Sequence, residues 1–254
     1  MIKSLSDAFL NLPSGNGVYI DDSSKKGVAF IGTNHLFNIM SPKYLPLRRR
    51  VLSLAKGAAC SMVEGTEHRN EHSDLTQHLV VDNCRGEIIY SEKDISYKAL
   101  LAPYGVPEGM YGLWAYWVTF NKSIDSESST DQSNDMFYKR LYGLSQDSVA
   151  GFDFERTARQ GYITLKKFSH EHILLATISF LDFLQNVRDY EIFGPKFDEL
   201  LGREGNKVVA LGLAHIPPLI ERLKGKHPPK PLNWNEFVSS INNASRAVLE
   251  AAVA

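Results

Sequence analysis

The sequence predicts an α/β fold with a central, mostly parallel β-sheet flanked by helices. Residues 28–31 form an uninterrupted apolar run, which is typical of a strand buried on both faces. Residues 44–59 have the apolar spacing of a helix, and residues 60–65 form a second short strand that ends in a carboxylate and a glycine. Strand, helix and strand in this order make a βαβ unit, which implies parallel strands. A further apolar strand at 208–211 repeats the pattern late in the chain.

Hairpins and a helix cap are predicted on either side of this unit. Residues 17–21 and 28–31 flank a polar turn, which predicts an antiparallel hairpin at the start of the sheet. Ser41 is expected to cap the following helix, with Pro42 at its first position. Residues 79–90 predict a second short hairpin, in which two apolar segments surround Asn-Cys-Arg-Gly.

The middle of the chain is predicted to be an irregular insertion, and the C-terminal half is rich in helical patterns. Residues 99–120 contain many aromatic residues and glycines, which favours core packing over a ligand-stacking wall. Residues 123–134 are poor in apolar residues and predict a flexible surface loop. Because similar motifs lie on both sides of this loop, we expect a single domain over 1–254. Helices are predicted at 170–186, 217–223 and 234–253.

Composition and charge exclude several classes of protein. The apolar fraction of 43% and the charged fraction of 22% are ordinary for a globular domain. With 28 basic and 29 acidic residues, the chain offers no electrostatic case for binding nucleic acid. Two cysteines do not make a disulfide framework. No run approaches the roughly 18 apolar residues of a membrane span, and no signal peptide pattern is seen. We therefore expect a cytoplasmic protein without an integral membrane segment, and its oligomeric state stays open.

Glycine and histidine recur together after the predicted strands. The pattern Gly-x-x-His occurs at Gly32 to His35, at Gly65 to His68 and at Gly212 to His215. The bare pattern is weak evidence in a chain with 18 glycines and 8 histidines. Each copy, however, follows an apolar strand-like run, which favours a functional role for His35 and His215. For His68, a function and an ordinary loop position are both left open.

Glu64 is the carboxylate expected to join these two histidines. Functional groups of parallel sheets gather at the carboxyl ends of the strands, where His35, Glu64 and His215 all fall. Two imidazoles and one carboxylate are the ligand set of a catalytic metal site with an open water position. Without a metal ion, the same groups are able to act as general bases on water. The residue types alone leave both chemistries open.

Other polar groups have simpler interpretations. His170 and His172 are two positions apart on a predicted helix and point apart, so we expect solvated side chains and not a shared metal ion. Arg188 and Asp189 follow a long apolar helix. They are interpreted either as a surface ion pair or as a guanidinium that is turned into the cleft to hold a carbonyl or anionic group.

The motifs resemble the TraB/PrgY/GumN family, which is related to the Tiki metalloproteases and more distantly to erythromycin esterases and ChaN-type haem-binding proteins. The resembling segments cover most of the chain apart from 66–160, and they are 31–35, 44–46, 62–65, 188–189 and 208–215. The resemblance implies an α/β sheet built from two related halves. It also implies a site of His35, Glu64 and His215, with Arg188 in support. The sequence departs from the usual family pattern around His215, where Leu-Ala precedes it and Ile-Pro-Pro follows.

The leading functional hypothesis is a metal-dependent hydrolase, of the peptidase or amidase type, that acts on a peptide or small-molecule substrate. His35, Glu64 and His215 would hold a divalent transition metal ion such as manganese, cobalt or zinc, and Arg188 would orient the substrate. The alternatives are a metal-free esterase-type hydrolase, a haem- or small-ligand-binding protein, and a non-catalytic signalling protein of the same fold.

Overall fold

The computed structural model describes residues 18–21, 27–33, 39–65, 74–92, 95, 97–107, 110 and 165–253. Within these residues the chain forms two compact units. The first comprises Met1–Asp94 and Arg188–Pro229, and the second comprises Ile95–Val187 and Lys230–Ala254. The expectation of one domain over 1–254 concerns how the units fold together, and it stays a prediction. The predicted loop at 123–134 lies outside the described residues.

The first unit contains a mixed, mostly parallel sheet, which confirms the predicted α/β fold. Its strands in the described residues are β1 (Val18–Asp21), β2 (Val28–Thr33), β3 (Cys60–Val63), β4 (Glu87–Tyr90) and β5 (Lys207–Gly212). The spatial order is β1-β2-β5-β3-β4, in which only β1 runs antiparallel to its neighbour. The hairpin of β1 and β2 is therefore confirmed. Strands β2 and β3 belong to one βαβ unit but are not neighbours, because β5 lies between them.

Helices pack on both faces of this sheet. They are α1 (Leu45–Gly57), α2 (Leu75–Asn83), α5 (Gly194–Leu201) and α6 (Ile216–Leu223). Ile31 of β2 belongs to one buried cluster with Val51 of α1. Phe30, the next residue along the strand, faces the other way, and its ring centroid lies 5.7 Å from that of Phe197 on α5. Successive strand side chains point to opposite faces, so the central strands β2, β3 and β5 are buried on both faces, as the sequence predicted.

One local prediction in the first unit holds only in part, and another is wrong. Ser41 precedes a 3₁₀ turn, Pro42–Tyr44, with Pro42 at its first position as predicted, but the Ser41 side chain makes no capping bond and α1 begins only at Leu45. Residues 79–83 belong to helix α2 and not to a hairpin. The carboxylate of Asp74 accepts hydrogen bonds from the amides of Thr76 (2.7 Å) and Gln77 (3.2 Å). This N-cap stabilises the helix and leaves β4 to pair with β3 in parallel.

The second unit is helical in its described residues. It contains α3 (Tyr97–Leu101), α7 (Trp234–Ser240) and α8 (Asn243–Val253). It also contains α4 (His170–Arg188) as far as Val187, since the last residue of this helix, Arg188, belongs to the first unit. Its buried cluster is aromatic, with the ring centroids of Phe183 and Phe237 4.8 Å apart. Tyr104 is 4% exposed and packs edge-on against Phe183, so its predicted core role is confirmed. His172 is exposed, as expected. No helix among the described residues is both long and apolar enough to cross a membrane.

The predicted C-terminal helix over 234–253 is interrupted. Helix α7 ends at Ser240, and α8 begins at Asn243. The side-chain oxygen of Asn242 accepts a hydrogen bond of 2.8 Å from the amide of Ser245. Asparagine at this position caps a new helix and competes with continuation of the old one.

The ion pair between α5 and α6 gives a test of pH dependence. Arg222 donates to both carboxylate oxygens of Asp198, at 2.7 Å from its Nε, and this bonding lowers the pKa of Asp198 below its ordinary value. The pair therefore stabilises the fold above the unfolded-state pKa, and this contribution is lost as the pH falls through the lower folded-state pKa. We expect Asp198→Asn to cost up to about 1 kcal/mol at neutral pH and less in acid. Thermal unfolding beside the exposed control Glu204→Gln measures the difference, and an equal cost at both pH values would contradict it.

Candidate functional site

The carboxylate of Glu64 lies where β3 ends, next to β5. Val63 pairs with Ala210, and the amide of Glu64 donates to the carbonyl of Ala210 at 3.3 Å. Oε2 of Glu64 accepts a hydrogen bond of 2.7 Å from the amide of Gly212. Gly65, the next residue, has a φ of +96°, a left-handed conformation that favours glycine. Glu64 is thus fixed between two neighbouring parallel strands.

His215 lies at the end of a 3₁₀ turn, Leu213–His215, that follows β5 directly. The turn lies close to β2, since a Cβ on Gly32 would come within 2.7 Å of Cδ1 of Leu213 and 3.0 Å of Cγ1 of Ile216. Only glycine leaves room for this approach. The strand is longer than the apolar run at 28–31, because β2 continues through Gly32 to Thr33. The packing leaves His215 4% exposed.

Arg188 and Asp189 come from a helix that changes its winding at this point. Helix α4 ends at Arg188 and continues into a turn of π-helix, Asp189–Phe193, in which the amide of Gly194 donates to the carbonyl of Asp189, five residues back. Short π-helical turns are frequent at functional sites. A Cβ on Gly194 would lie 3.0 Å from that carbonyl oxygen, so glycine permits the tight turn. Both residues at the start of the turn contact His215.

Five side chains converge in one buried group, which we call the Arg188 cluster: Glu64, Glu92, Arg188, Asp189 and His215. Nη2 of Arg188 donates to Oε1 of Glu64 at 2.8 Å and to Oε1 of Glu92 at 2.7 Å. Nη1 of Arg188 lies 3.2 Å from Nε2 of His215, whose Nδ1 lies 2.5 Å from Oδ1 of Asp189. Arg188 is the most exposed member, and its side chain is only 15% exposed.

The partners of His215 assign its protons. A guanidinium has only donors, so Nε2 of His215 accepts from Arg188. Nδ1 then carries the proton, and this N–H donates a hydrogen bond to Oδ1 of Asp189. The ring of Phe193 packs against the imidazole, with centroids 4.2 Å apart, and the guanidinium carbon of Arg188 lies 5.0 Å from the centre of the same ring. The imidazole is thereby held in one orientation, with its lone pair directed toward Arg188.

Each carboxylate of the cluster is hydrogen-bonded, Glu64 and Glu92 to Arg188 and Asp189 to His215. The cluster contains three carboxylates and one guanidinium, all largely out of water. Burying an ion is costly unless it is paired and hydrogen-bonded. Removing one partner of such a buried pair typically costs about 3–5 kcal/mol, because the other charge is left uncompensated. The cluster is therefore a stringent constraint on the fold of the first unit.

The described donors do not fit a metal ion in this arrangement. The two carboxylate oxygens of Glu64 and the two ring nitrogens of His215 each have a protein partner. The Nε2 atom that would ligate a metal faces the Arg188 cation. Across the described ranges, no group of three or more His, Cys, Asp or Glu side chains has the arrangement of a metal site. His35, the remaining predicted ligand, lies outside those ranges.

Three of the four predicted site residues come together. Glu64, Arg188 and His215 are joined directly through the guanidinium. The fourth, His35, falls outside the described residues, as does His68. Strand β2, which precedes His35, ends at Thr33, and Thr33 pairs with Gly212 in the parallel register. The strands that lead to His35 and His215 are therefore neighbours.

Glu92 was missed by the sequence analysis, and the specific role of Asp189 was not foreseen. Glu92 follows β4 closely, and its amide donates to the carbonyl of Gly65 at 3.1 Å. If β4 had been predicted to run parallel to β3, the carboxylate of Glu92 would have been expected at the same edge of the sheet as Glu64. The hairpin prediction excluded this arrangement. Asp189 was paired with its sequence neighbour Arg188, whereas its carboxylate binds His215.

The chain has no match in three comparisons with known proteins. No family model matches it, and neither a curated protein nor a solved structure does so.

Proposed function

We propose that this chain is a hydrolase that cleaves an ester or amide bond of a peptide or small-molecule substrate by general base catalysis. The observation that carries the proposal is the chain of contacts from Asp189 through His215 to Arg188. It places an oriented, unprotonated imidazole nitrogen next to a fixed guanidinium. An oriented base beside a cationic hydrogen-bond donor is what addition of water to a carbonyl group requires.

In the proposed mechanism, Arg188 binds the substrate carbonyl oxygen. The contact between Nη1 of Arg188 and Nε2 of His215, at 3.2 Å, is the longest of the cluster. Arg188 is also its most exposed member. When a substrate carbonyl oxygen accepts the hydrogen bond from Nη1 of Arg188, Nε2 of His215 no longer accepts it and is free to take a proton from water. Substrate binding thus makes the base available.

The remaining steps follow from the same positions. Water adds to the carbonyl carbon, its proton passes to Nε2 of His215, and the oxyanion is stabilised by Arg188. Asp189 stabilises the imidazolium. When the intermediate collapses, the bond to the leaving group breaks, and His215 returns the proton to that group. Glu64 and Glu92 hold the guanidinium in place throughout.

Two histidine variants test the proposal. We expect His215→Gln to lower hydrolysis of p-nitrophenyl acetate or of a peptide p-nitroanilide by about 10²-fold or more, since positioned general bases typically contribute 10² to 10⁴. The matched control is His172→Gln, because His172 is exposed on α4. Circular dichroism verifies that both variants fold. A wild-type chain without activity on either substrate class, or a folded His215→Gln variant with full activity, would contradict the proposal.

A metal-dependent hydrolase is the second candidate. One observation favours it, because metal-binding histidines usually donate their other ring N–H to a carboxylate, as His215 does to Asp189. The contacts of Arg188 with Glu64 and His215 weigh against it. The haem-binding and signalling alternatives stay predictions. The aromatic wall considered for haem binding, Tyr104 to Trp117, is described only at 104–107 and 110, and Tyr104 there is buried.

A further inference from the structure

We infer that the guanidinium of Arg188 is the permanent cation of this site and occupies the position that a divalent metal ion would otherwise take between Glu64, Glu92 and His215. The inference concerns the same cluster as the proposed function. It rests on the disagreement between the metal site implied by family resemblance and the contacts of Arg188. Its test measures metal binding, so it stands or fails independently of hydrolysis.

Three donor atoms converge on the one guanidinium. Oε1 of Glu64 and Oε1 of Glu92 both bind Nη2, at 2.8 and 2.7 Å. Nε2 of His215 faces Nη1 at 3.2 Å. Two carboxylates and one imidazole are an oxygen and nitrogen donor set that suits divalent manganese, iron or zinc. These donor types suit a metal ion, but in the described residues they are arranged around the guanidinium and not as a metal site.

As the cation of this cluster, the Arg188 side chain has an advantage over a metal ion that must bind from solution. Arginine stays protonated at all physiological pH values, and its side chain is delivered by the start of the π-helical turn. A metal ion would have to displace Nη2 from two buried, charge-assisted hydrogen bonds, which are the strong kind. We therefore expect the wild-type cluster to exclude divalent ions.

Removal of the guanidinium should convert the cluster into a metal site. Two carboxylates would then face each other without their shared cation, and like charges at this range repel strongly in a buried position. A divalent ion relieves this repulsion and uses the lone pair on Nε2 of His215. Arg188→Met is the best variant for this, because methionine is apolar and unbranched and keeps contact with the ring of Phe193.

Titration calorimetry with MnCl₂ and ZnCl₂, together with metal analysis after dialysis, tests the inference. We expect Arg188→Met to bind one equivalent of metal and to melt at a higher temperature when the metal is present. Wild type and the control Arg188→Lys, which keeps a cation, should show neither effect. In the Arg188→Met background, Glu92→Gln should weaken metal binding by about tenfold or more.

Each outcome of these experiments either supports or overturns the inference. If Arg188→Met folds only after metal is added, the inference is supported. It is overturned if the variant stays unfolded with metal present, or if its metal binding is unaffected by Glu92→Gln. It is also overturned if wild type holds a stoichiometric metal ion that is lost in Glu64→Gln. Loss of hydrolytic activity in any variant bears on the proposed function alone.

Discussion

Asp189→Asn is expected to lower the rate of hydrolysis by about 10² to 10⁴ while the chain stays folded. Oδ1 of Asp189 accepts a hydrogen bond from Nδ1 of His215 at 2.5 Å, so the carboxylate faces the imidazole with a negative charge. Asparagine is nearly the same size but has no charge, so the imidazolium that forms when His215 takes a proton from water is no longer stabilised. If the new amide group donates to Nδ1, the proton moves to Nε2, where it meets a donor of Arg188 and the base is lost.

The measurement is kcat/KM against pH, with nitrogen NMR of the His215 ring to report which nitrogen carries the proton. The control is Asp198→Asn, in which an exposed carboxylate loses its arginine partner outside the Arg188 cluster. We expect that control to retain full activity. If Asp189→Asn melts like wild type and is equally active, His215 is not the base.

Gly86→Ala is expected to destabilise the first unit by about 3 kcal/mol or more, which is at or above the upper end of the usual cost of overpacking. A Cβ at this position would lie 1.8 Å from the carbonyl oxygen of Ala59, and backbone cannot move aside as a side chain does. The same carbonyl accepts a hydrogen bond from the amide of Glu87 at 3.2 Å, at the start of the pairing between β3 and β4. Any shift would therefore disturb this pairing.

Gly57→Ala is the matched control. Gly57 is the last residue of α1, and a Cβ there would meet no atom within 4 Å. Alanine is the better helix former, so the control should be neutral or more stable by up to about 1 kcal/mol. Urea unfolding of both variants gives the comparison. Equal stabilities would mean that β4 does not pair with β3 as described, and the placement of Glu92 would fail with it.

Much of the candidate site could be predicted because it depends on local patterns. An apolar run that ends in a carboxylate and a glycine selected Glu64, and an apolar run followed by a glycine and then a histidine selected His215. Arg188 was selected by resemblance, and its alternative interpretation as a surface ion pair is wrong, because it is buried against Glu64 and Glu92. Glu92 could not be selected while β4 was interpreted as half of a hairpin.

The sequence by itself determined the strands that are buried on both faces, the helices between them and the strand ends that carry Glu64 and His215. These features depend on side-chain periodicity, which nearby residues express directly. Only the tertiary structure decided that β5 lies between β2 and β3, that β4 runs parallel to β3 and that Arg188 binds two carboxylates at once. Strand order and buried ion pairs join residues that are far apart in sequence, such as Glu64 and Arg188, which are 124 positions apart. They depend on how the whole chain packs and pairs its buried charges, and a local sequence pattern does not indicate which distant residues will be in contact.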